Sequence, residues 1–171
     1  MNLILIGMPA CGKSCMGRAL AKKLNMQLLD TDRLIESKTG RLLQNIINED
    51  GLEAFKLLEE QTLLGIKGDG MIISTGGSAV YYDRAMRHFK NIGVVAYLYV
   101  GLDLIKKRLG DFSKRGVVLA PGQTIDDLYV ERTALYEKYA DIVINCNGNA
   151  YPKYQSSLTE ALNNHKLKPN S

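Results

Sequence analysis

The sequence predicts an α/β fold in which helices cover both faces of a parallel sheet, a three-layer α/β/α arrangement. Short, continuous apolar runs recur along the 171 residues, as in strands that are buried on both faces. Amphipathic stretches of helical period separate these runs, which is the alternation expected of βαβ units. The hydrophobic fraction is 46%, enough for one well-filled core, so we expect a single domain over residues 1–171.

The predicted strands are the clearest signal in the sequence. Each is a short apolar run, and several are rich in Val and Ile. The run "NLILI" starts the series, and "VVAYLYV" is its longest member. The five predicted strands span residues 2–6, 27–29, 71–74, 94–100 and 141–145.

The predicted helices lie between these strands and have apolar residues at helical spacing. The last of them begins at "TIDD", where Thr124 is the expected N-cap and Asp127 follows three residues later. This start fixes the long helix that carries Arg132. The five predicted helices span residues 13–24, 52–66, 83–90, 103–109 and 125–140.

Two segments show no clear period. Residues 110–123, "GDFSKRGVVLAPGQ", contain three glycines and one proline. A connection of this length in a compact domain usually has a function, so we predict a lid here. Residues 163–171 form the end of the chain, and we predict a frayed tail.

Composition argues against several classes of protein. The net charge is +4, but the basic residues are scattered among acidic ones, whereas nucleic-acid binders usually concentrate them on one face. No apolar run approaches the roughly 18 residues needed to span a bilayer, and the start of the chain lacks the pattern of a secretory signal. We therefore expect a cytoplasmic protein with neither nucleic-acid nor membrane partners. Cys11, Cys15 and Cys146 lack metal-ligand spacing, so we expect reduced thiols and no zinc.

The stretch "GMPACGKS" fits the phosphate-binding pattern G-x-x-x-x-G-K-[ST] from Gly7 to Ser14. It follows a predicted strand and precedes a predicted helix, which is the context that this motif requires. Glycines let backbone amides approach phosphate oxygens, and the helix adds the positive end of its dipole. Lys13 would reach the β- and γ-phosphates, and the Ser14 hydroxyl would bind Mg²⁺. The alternative, a glycine-rich turn with a solvated Lys13, explains this context less well.

Other motifs narrow the class of phosphate-loop protein. The sequence lacks the N-K-x-D of GTPases, and the strand "MIIS" runs into "STGGSAV" without a Walker B acid. Asp30 and Asp32 follow the second strand, at the end of the sheet where ligands bind. One can hold a metal and the other can accept a proton from a hydroxyl group. A structural alternative makes Asp30 a helix cap and Asp32 a first-turn acid.

Together these motifs resemble the shikimate kinase family over roughly residues 2 to 145. They are the phosphate loop, "DTD" followed by "IE", "GLEAFKLLEE", "STGGS", the predicted lid and "ERTALYEKYAD". The resemblance implies a P-loop NTPase fold like that of nucleoside monophosphate kinases, with a five-stranded parallel sheet and a flexible lid. It also implies an acceptor-binding helical region at about residues 31–62, and ATP and Mg²⁺ as cofactors.

The resemblance further implies roles for individual residues. Ser14 and Asp30 would hold Mg²⁺. Lys13, Asp32 and Arg115 would be catalytic, with Asp32 assisting proton removal and Arg115 closing over the phosphates. The residues implied at the nucleotide are Gly7, Ala10, Cys11, Gly12, Lys13, Ser14, Cys15 and Arg115. The residues implied at the acceptor are Asp32, Lys56, Gly76, Gly77, Ser78 and Arg132.

Four positions depart from the family pattern. Lys56 replaces an arginine, and lysine offers a carboxylate a point charge in place of two parallel hydrogen bonds. Ser78 replaces the third glycine of "GGG", Gly116 replaces a proline, and Ala10 replaces a glycine of the phosphate loop. Alternative interpretations pair Lys56 with Glu59 or Glu60, and leave Arg132 as a solvated helix residue.

The sequence therefore predicts a kinase that transfers the γ-phosphoryl group of ATP to a hydroxyl of a small carboxylated acceptor, with shikimate as the first choice. A different hydroxy acid, such as gluconate or homoserine, is the second hypothesis, motivated by Lys56 and Ser78. A non-catalytic ATP-binding paralogue is the third. The sequence is compatible with a monomer or a dimer.

Overall fold

The computed structural model describes residues 1–110, 119–120, 122–148 and 151–166, without the side chains of residues 151 and 164–166. Five strands form one parallel sheet in the order β2-β3-β1-β4-β5, which confirms the predicted α/β class. The strands are β1 (Asn2–Ile6), β2 (Gln27–Asp30), β3 (Met71–Ser74), β4 (Gly93–Tyr99) and β5 (Ile142–Asn145).

The helices follow the strands in the predicted alternation. Those of the described residues are α1 (Lys13–Leu24), α2 (Thr31–Thr39), α3 (Leu43–Asp50), α4 (Leu52–Leu64), α5 (Asp83–Ile92), α6 (Leu102–Leu109), α7 (Ile125–Tyr139) and α8 (Tyr151–Lys166). A 3₁₀ turn spans Ala79–Tyr81.

The prediction of a frayed tail is wrong for residues 163–166, because α8 continues through them. Sequence analysis did not identify this helix. Leu158 and Leu162 of α8 are buried and belong to the main core, so tertiary packing stabilises a helix whose own pattern is weak.

The sheet register places the ends of three adjacent strands side by side. All five residues of β1 are buried, as expected of the central strand of a sheet covered on both faces. Leu5 pairs with Ser74, and Ser74 pairs with Asp30. The segments that follow β1, β3 and β2 therefore meet at the carboxyl edge of the sheet, where ligands bind in open α/β folds.

Helices α2, α3 and α4 form a small lobe with a hydrophobic cluster of its own. Ile35, Ile46 and Phe55 are its buried residues. Phe55 is thus part of a core, although its side chain also borders the cleft described below. The lobe coincides with the helical region expected at about residues 31–62.

Helix α7 begins at the predicted cap. The Thr124 hydroxyl accepts a hydrogen bond from the Asp127 amide at 3.2 Å, and the Asp127 carboxylate accepts one from the Thr124 amide at 2.9 Å. This capping box confirms the predicted helix start and fixes the helix that carries Arg132. Across the part of the chain that the structure describes, no helix combines the length and apolar character needed to cross a membrane.

Candidate active site

The loop between β1 and α1 forms a cradle of backbone amides. Gly7 and Gly12 have φ angles of 144° and 107°, and a Cβ at Gly7 would lie 2.8 Å from the carbonyl oxygen of Leu98. Helix α1 starts directly after Gly12, so its first amides have no partners within the helix. The Lys13 ammonium donates to the carbonyl oxygens of Gly7 and Met8 at 2.7 and 2.9 Å. The arrangement suits phosphate oxygens.

A cleft of about 1220 Å³ opens at this edge of the sheet. Its walls come from the phosphate loop, the segments after β2 and β3, the α2–α4 lobe and α7. The predicted site residues that line it are Ala10, Gly12, Lys13, Ser14, Cys15, Asp30, Asp32, Lys56, Gly76, Gly77, Ser78 and Arg132. Gly7 and Cys11 do not line the cleft, and Cys11 is buried behind the loop.

Three side-chain oxygens meet beside the phosphate loop. The Ser14 hydroxyl donates to Asp30 Oδ2 at 3.0 Å and lies 3.4 Å from the Ser74 hydroxyl. Asp30 Oδ1 accepts from the Arg33 amide at 3.4 Å, so Asp30 also caps α2 as the structural alternative predicted. Hydroxyl and carboxylate oxygens are ligands that Mg²⁺ prefers, and this set of oxygens fits that ion. Sequence analysis missed Ser74, although its place at the end of β3 was a usable signal.

Asp32 has a perturbed proton affinity. Burial, followed by the charges of Glu59 and Asp30, raises the pKa of Asp32 from 3.8 to about 6, while the Lys13 charge opposes this rise. A Cβ at Gly76 would lie 2.7 Å from Asp32 Oδ1 and 2.9 Å from Glu59 Oε1. Gly76 therefore permits two carboxylates to approach the same backbone.

Glu59 is a site residue that sequence analysis did not identify. It is only 1% exposed. Its carboxylate accepts hydrogen bonds from the Ser78 hydroxyl, at 2.7 and 2.8 Å to its two oxygens, and from the Tyr82 hydroxyl at 2.7 Å. Burial raises the pKa of Glu59, whereas these hydrogen bonds and the Arg132 charge oppose the rise. The available signal was the acid-rich "GLEAFKLLEE", but the sequence alone did not indicate which acid points inward.

Lys56 pairs with a different residue from those considered in the sequence analysis. Its ammonium lies 2.7 Å from Glu53 Oε1, so the pairing with Glu59 or Glu60 is wrong. Glu59 is unavailable because it is buried against Ser78 and Tyr82. Lys56 still borders the cleft, with its side chain 47% exposed.

Arg132 is buried, which corrects the alternative that made it a solvated residue. It is 6% exposed, its Nε donates to the Tyr81 hydroxyl at 3.3 Å, and a Cβ at Gly77 would lie 2.9 Å from its Nη1. Among the described residues, no carboxylate lies within ion-pair distance of this guanidinium. A buried cation of this kind is suited to an anionic ligand.

Arg108, at the end of α6, is a second cleft residue that sequence analysis missed. Its guanidinium donates to the carbonyl oxygens of Cys11 and Gly148 at 3.4 and 3.3 Å. It thereby joins the phosphate loop to the segment after β5. Arg115, Gly116 and most of the predicted lid at 110–123 lie outside the described residues, so their roles remain predictions.

Comparisons with known proteins show what this chain is similar to. Residues 9–163 match the family model described as Shikimate kinase. A shikimate kinase from Clostridium botulinum (strain Okra / Type B1) is 34% identical over 169 residues, which cover 96% of each protein.

Two solved structures are similar over nearly the whole chain. The shikimate kinase from Acinetobacter baumannii, described as a complex with shikimate, has a TM-score of 0.86 and 30% identity, covering 98% of this chain and 95% of that one. The Aquifex aeolicus shikimate kinase has a TM-score of 0.83 and 24% identity, covering 99% of this chain and 100% of that one. The second likeness shows the fold alone, and both agree with the predicted P-loop architecture.

Proposed function

The chain belongs to the shikimate kinase family, and we propose that it transfers the γ-phosphoryl group of ATP to a hydroxyl of shikimate, giving shikimate 3-phosphate. As a member of this family it is a phosphotransferase that acts on an alcohol group and uses ATP as phosphate donor. The observation that carries the choice of acceptor is the buried Arg132 guanidinium in the same cleft as Asp32 and the phosphate loop. A small molecule with a carboxylate and hydroxyl groups complements both residues.

At the donor end of the cleft, the phosphate loop binds the nucleotide. Lys13 and the amides at the start of α1 bind the β- and γ-phosphates. Ser14 and Asp30 hold Mg²⁺, with Ser74 beside them; the ion supplies neutralisation of phosphate charge when it is bound. Transfer of this kind depends on positioning and charge more than on covalent chemistry.

At the acceptor end, Asp32 aligns the attacking hydroxyl and accepts its proton. With a pKa of about 6, the carboxylate is ionised near pH 7.5 and is a better base than an ordinary aspartate. The hydroxyl oxygen forms a bond to the γ-phosphorus as the bond to the β-phosphate oxygen breaks, and ADP leaves. The hydroxyl proton passes to Asp32.

Lys56 and Ser78, two of the departures from the family pattern, affect how the acceptor binds. The Lys56 ammonium is held by Glu53, so Arg132 carries most of the binding of the acceptor's carboxylate. The Ser78 hydroxyl is directed to Glu59, which leaves the backbone of Gly76 and Gly77 to approach the acceptor. We expect the enzyme to act in the cytoplasm, as a monomer or a dimer.

A coupled assay of ADP formation tests the proposed reaction. We expect shikimate to stimulate turnover of Mg-ATP by the wild-type protein, and phosphorus NMR to identify the product as a phosphate monoester. Gluconate and homoserine serve as comparison acceptors, and we expect no stimulation from either. Stimulation by another acid in place of shikimate would refute the acceptor, and ATP binding without turnover of any acceptor would indicate a non-catalytic paralogue.

A matched pair of variants tests the role of Asp32. Asp32→Asn keeps the size of the side chain but removes the base, so we expect kcat to fall by about a hundredfold or more. Asp103→Asn, on the exposed face of α6 outside the cleft, makes the same change and should leave kcat unaltered. Equal activity of the two variants would exclude Asp32 as the base.

A further inference from the structure

Tyr81 contacts Arg132 in two ways. Its hydroxyl accepts the hydrogen bond from Arg132 Nε at 3.3 Å, and the guanidinium carbon lies 5.3 Å from the ring centroid, over the face of the ring. Tyr81 ends the 3₁₀ turn after β3, lines the cleft and is 40% exposed, whereas Arg132 is buried. The tyrosine therefore joins a buried cation to a partly exposed part of the cleft wall.

These contacts leave a defined part of the guanidinium available. An arginine side chain presents five N–H donors in one plane. Among the described residues, its Nε is the only donor of Arg132 that forms a hydrogen bond, and Tyr81 is the partner. Nη1 lies beside Gly77, where a Cβ would be 2.9 Å from it. Fixing Nε and one face of the plane orients the Nη groups, which form parallel hydrogen bonds with carboxylates.

The protonation state of Tyr81 is compatible with this role. Burial raises the pKa of the Tyr81 phenol above its usual value of 10.0; the Arg132 cation opposes this effect, and the neighbouring Glu131 carboxylate adds to it. The phenol therefore stays neutral at the pH of an assay. Its oxygen accepts from Arg132 without adding a negative charge that would compete with a carboxylate ligand.

We propose that Tyr81 is a positioning residue for the acceptor, since it holds the Arg132 guanidinium in the orientation in which its Nη groups pair with the acceptor's carboxylate. This inference rests on the proposed function. It assigns the specificity for a carboxylated acceptor to a pair of residues, Arg132 and Tyr81, and it gives Tyr81 no contact with the reacting atoms.

Kinetic constants of two variants test this role. Tyr81→Phe keeps the ring and removes the hydroxyl, and we expect the KM for shikimate to rise about threefold to tenfold. Tyr81→Leu removes both contacts and should raise it about tenfold to fiftyfold. In both variants the KM for ATP and kcat should stay within about twofold of the wild-type values, because a lost binding contact raises KM alone. Should Tyr81→Leu fold poorly, Tyr81→Phe remains decisive.

Tyr139→Phe is the matched control. Tyr139 lies on the same helix as Arg132, and its hydroxyl donates to Asp83 at 2.7 Å, outside the cleft. This variant loses a shorter hydrogen bond to a carboxylate and the one that its hydroxyl accepts from Lys138 at 3.2 Å, so it is a stringent control, and we expect no change in the KM for shikimate. An equal rise in KM for Tyr139→Phe and Tyr81→Phe would mean that Tyr81 has only a structural role, and would overturn the proposal.

A substrate analogue tests whether the rise in KM in Tyr81→Phe depends on the carboxylate of the acceptor. In shikimate methyl ester the carboxylate is neutralised, so the analogue cannot form the charged pair with Arg132. We expect Tyr81→Phe to have the same KM for the ester as the wild-type protein, although both values will be high. An equal penalty for shikimate and for its ester would overturn the proposal. If the wild-type protein does not phosphorylate shikimate, the proposed function fails; if it does and Tyr81→Phe has an unchanged KM, only this inference fails.

Discussion

Three residues of the phosphate loop adopt positive φ angles, and only one of them has a Cβ. Gly7 and Gly12 tolerate this conformation, whereas Ala10 has a φ of 61°, in the left-handed region that side chains disfavour. The strain is local to the loop that binds phosphate, where uncommon backbone conformations often occur. It is visible only once the backbone is known.

We predict that Ala10→Gly stabilises the protein. The change relieves the left-handed conformation, and the greater freedom of glycine in the unfolded chain offsets part of the gain, so the free energy of unfolding should rise by about 0.5–1 kcal/mol. Chemical denaturation measures it. The control is Ala134→Gly at an exposed position within α7, where the same change should lower stability by about 1 kcal/mol. A loss of stability in both variants would contradict the prediction.

The ionised Asp32 carboxylate should lower the free energy of unfolding at neutral pH. Its pKa of about 6 in the folded protein exceeds the ordinary value of 3.8, so the folded state binds the proton more tightly than the unfolded state. The contribution of Asp32 to the free energy of unfolding is therefore fully present below about pH 4 and is lost as the pH rises through 6. At about 1.4 kcal/mol for each tenfold change in proton affinity, the full loss is about 3 kcal/mol.

Asp32→Asn should accordingly be more stable than the wild-type protein, although its kcat should fall by about a hundredfold or more. We expect an advantage of about 3 kcal/mol at pH 7.5 that shrinks to about 1 kcal/mol at pH 4.5. Chemical denaturation in EDTA without nucleotide measures it. Asp103→Asn, in the first turn of α6, should lower stability by less than about 1 kcal/mol through the helix dipole, and to a similar extent at both pH values. An advantage for Asp32→Asn that does not depend on pH would contradict the assignment.

At the scale of elements, helix α7 begins at a capping motif that is visible in the sequence and carries Arg132 into the cleft. Its start is fixed by Thr124 and Asp127, which are neighbours in the sequence. Its inward face brings Arg132 to the cleft, and Tyr136 donates from its hydroxyl to the Gly77 carbonyl at 2.8 Å. The cap therefore sets where this helix begins, and packing against the segment after β3 sets which residues face the ligand.

Thr124→Ala should remove the cap and weaken the helix. We expect the free energy of unfolding to fall by about 1 kcal/mol, because one amide at the start of α7 loses its acceptor. Thermal or chemical unfolding measures the change. The control is Thr159→Ala within α8, where alanine is the better helix former and no such loss is expected. Equal losses in the two variants would show that the cap contributes nothing specific.

At the scale of the whole molecule, the strand order assembles the site. The parallel register aligns Asp30 with Ser74 and Ser74 with Leu5, so the segments after three strands converge. The cleft residues then come from the sheet edge, the α2–α4 lobe and α7. A ligand bound there contacts many parts of the fold at once and should stabilise all of them together.

We therefore predict that Mg-ATP raises the melting temperature of the whole protein. At about 100 times its Kd, the nucleotide should add about 2.7 kcal/mol, or about 5–10 °C for a domain of this size. Calorimetry measures the shift. Lys13→Met should abolish most of it, whereas Lys22→Met, at an exposed position on the same helix, should preserve it. A full shift in Lys13→Met would contradict the assigned phosphate site.

Several features of the molecule were predictable from the sequence because they depend on near neighbours. The five strands, the phosphate loop before α1 and the cap of α7 agree with the structure to within a few residues. Hydrophobic period, glycine spacing and capping residues act over a few positions along the chain. Helix α8 was not predicted, because it is stabilised by packing of Leu158 and Leu162 in the main core.

The sequence by itself determined the α/β class, the phosphate loop and the placement of Asp30 and Asp32 directly after a strand. Only the tertiary structure decided that Glu59 points inward to Ser78 and Tyr82, that Lys56 pairs with Glu53, and that Arg132 is buried against Tyr81. Most of these partners lie far apart along the chain. Helix packing and strand order bring such side chains together, and neither can be deduced from the residues on either side of each position.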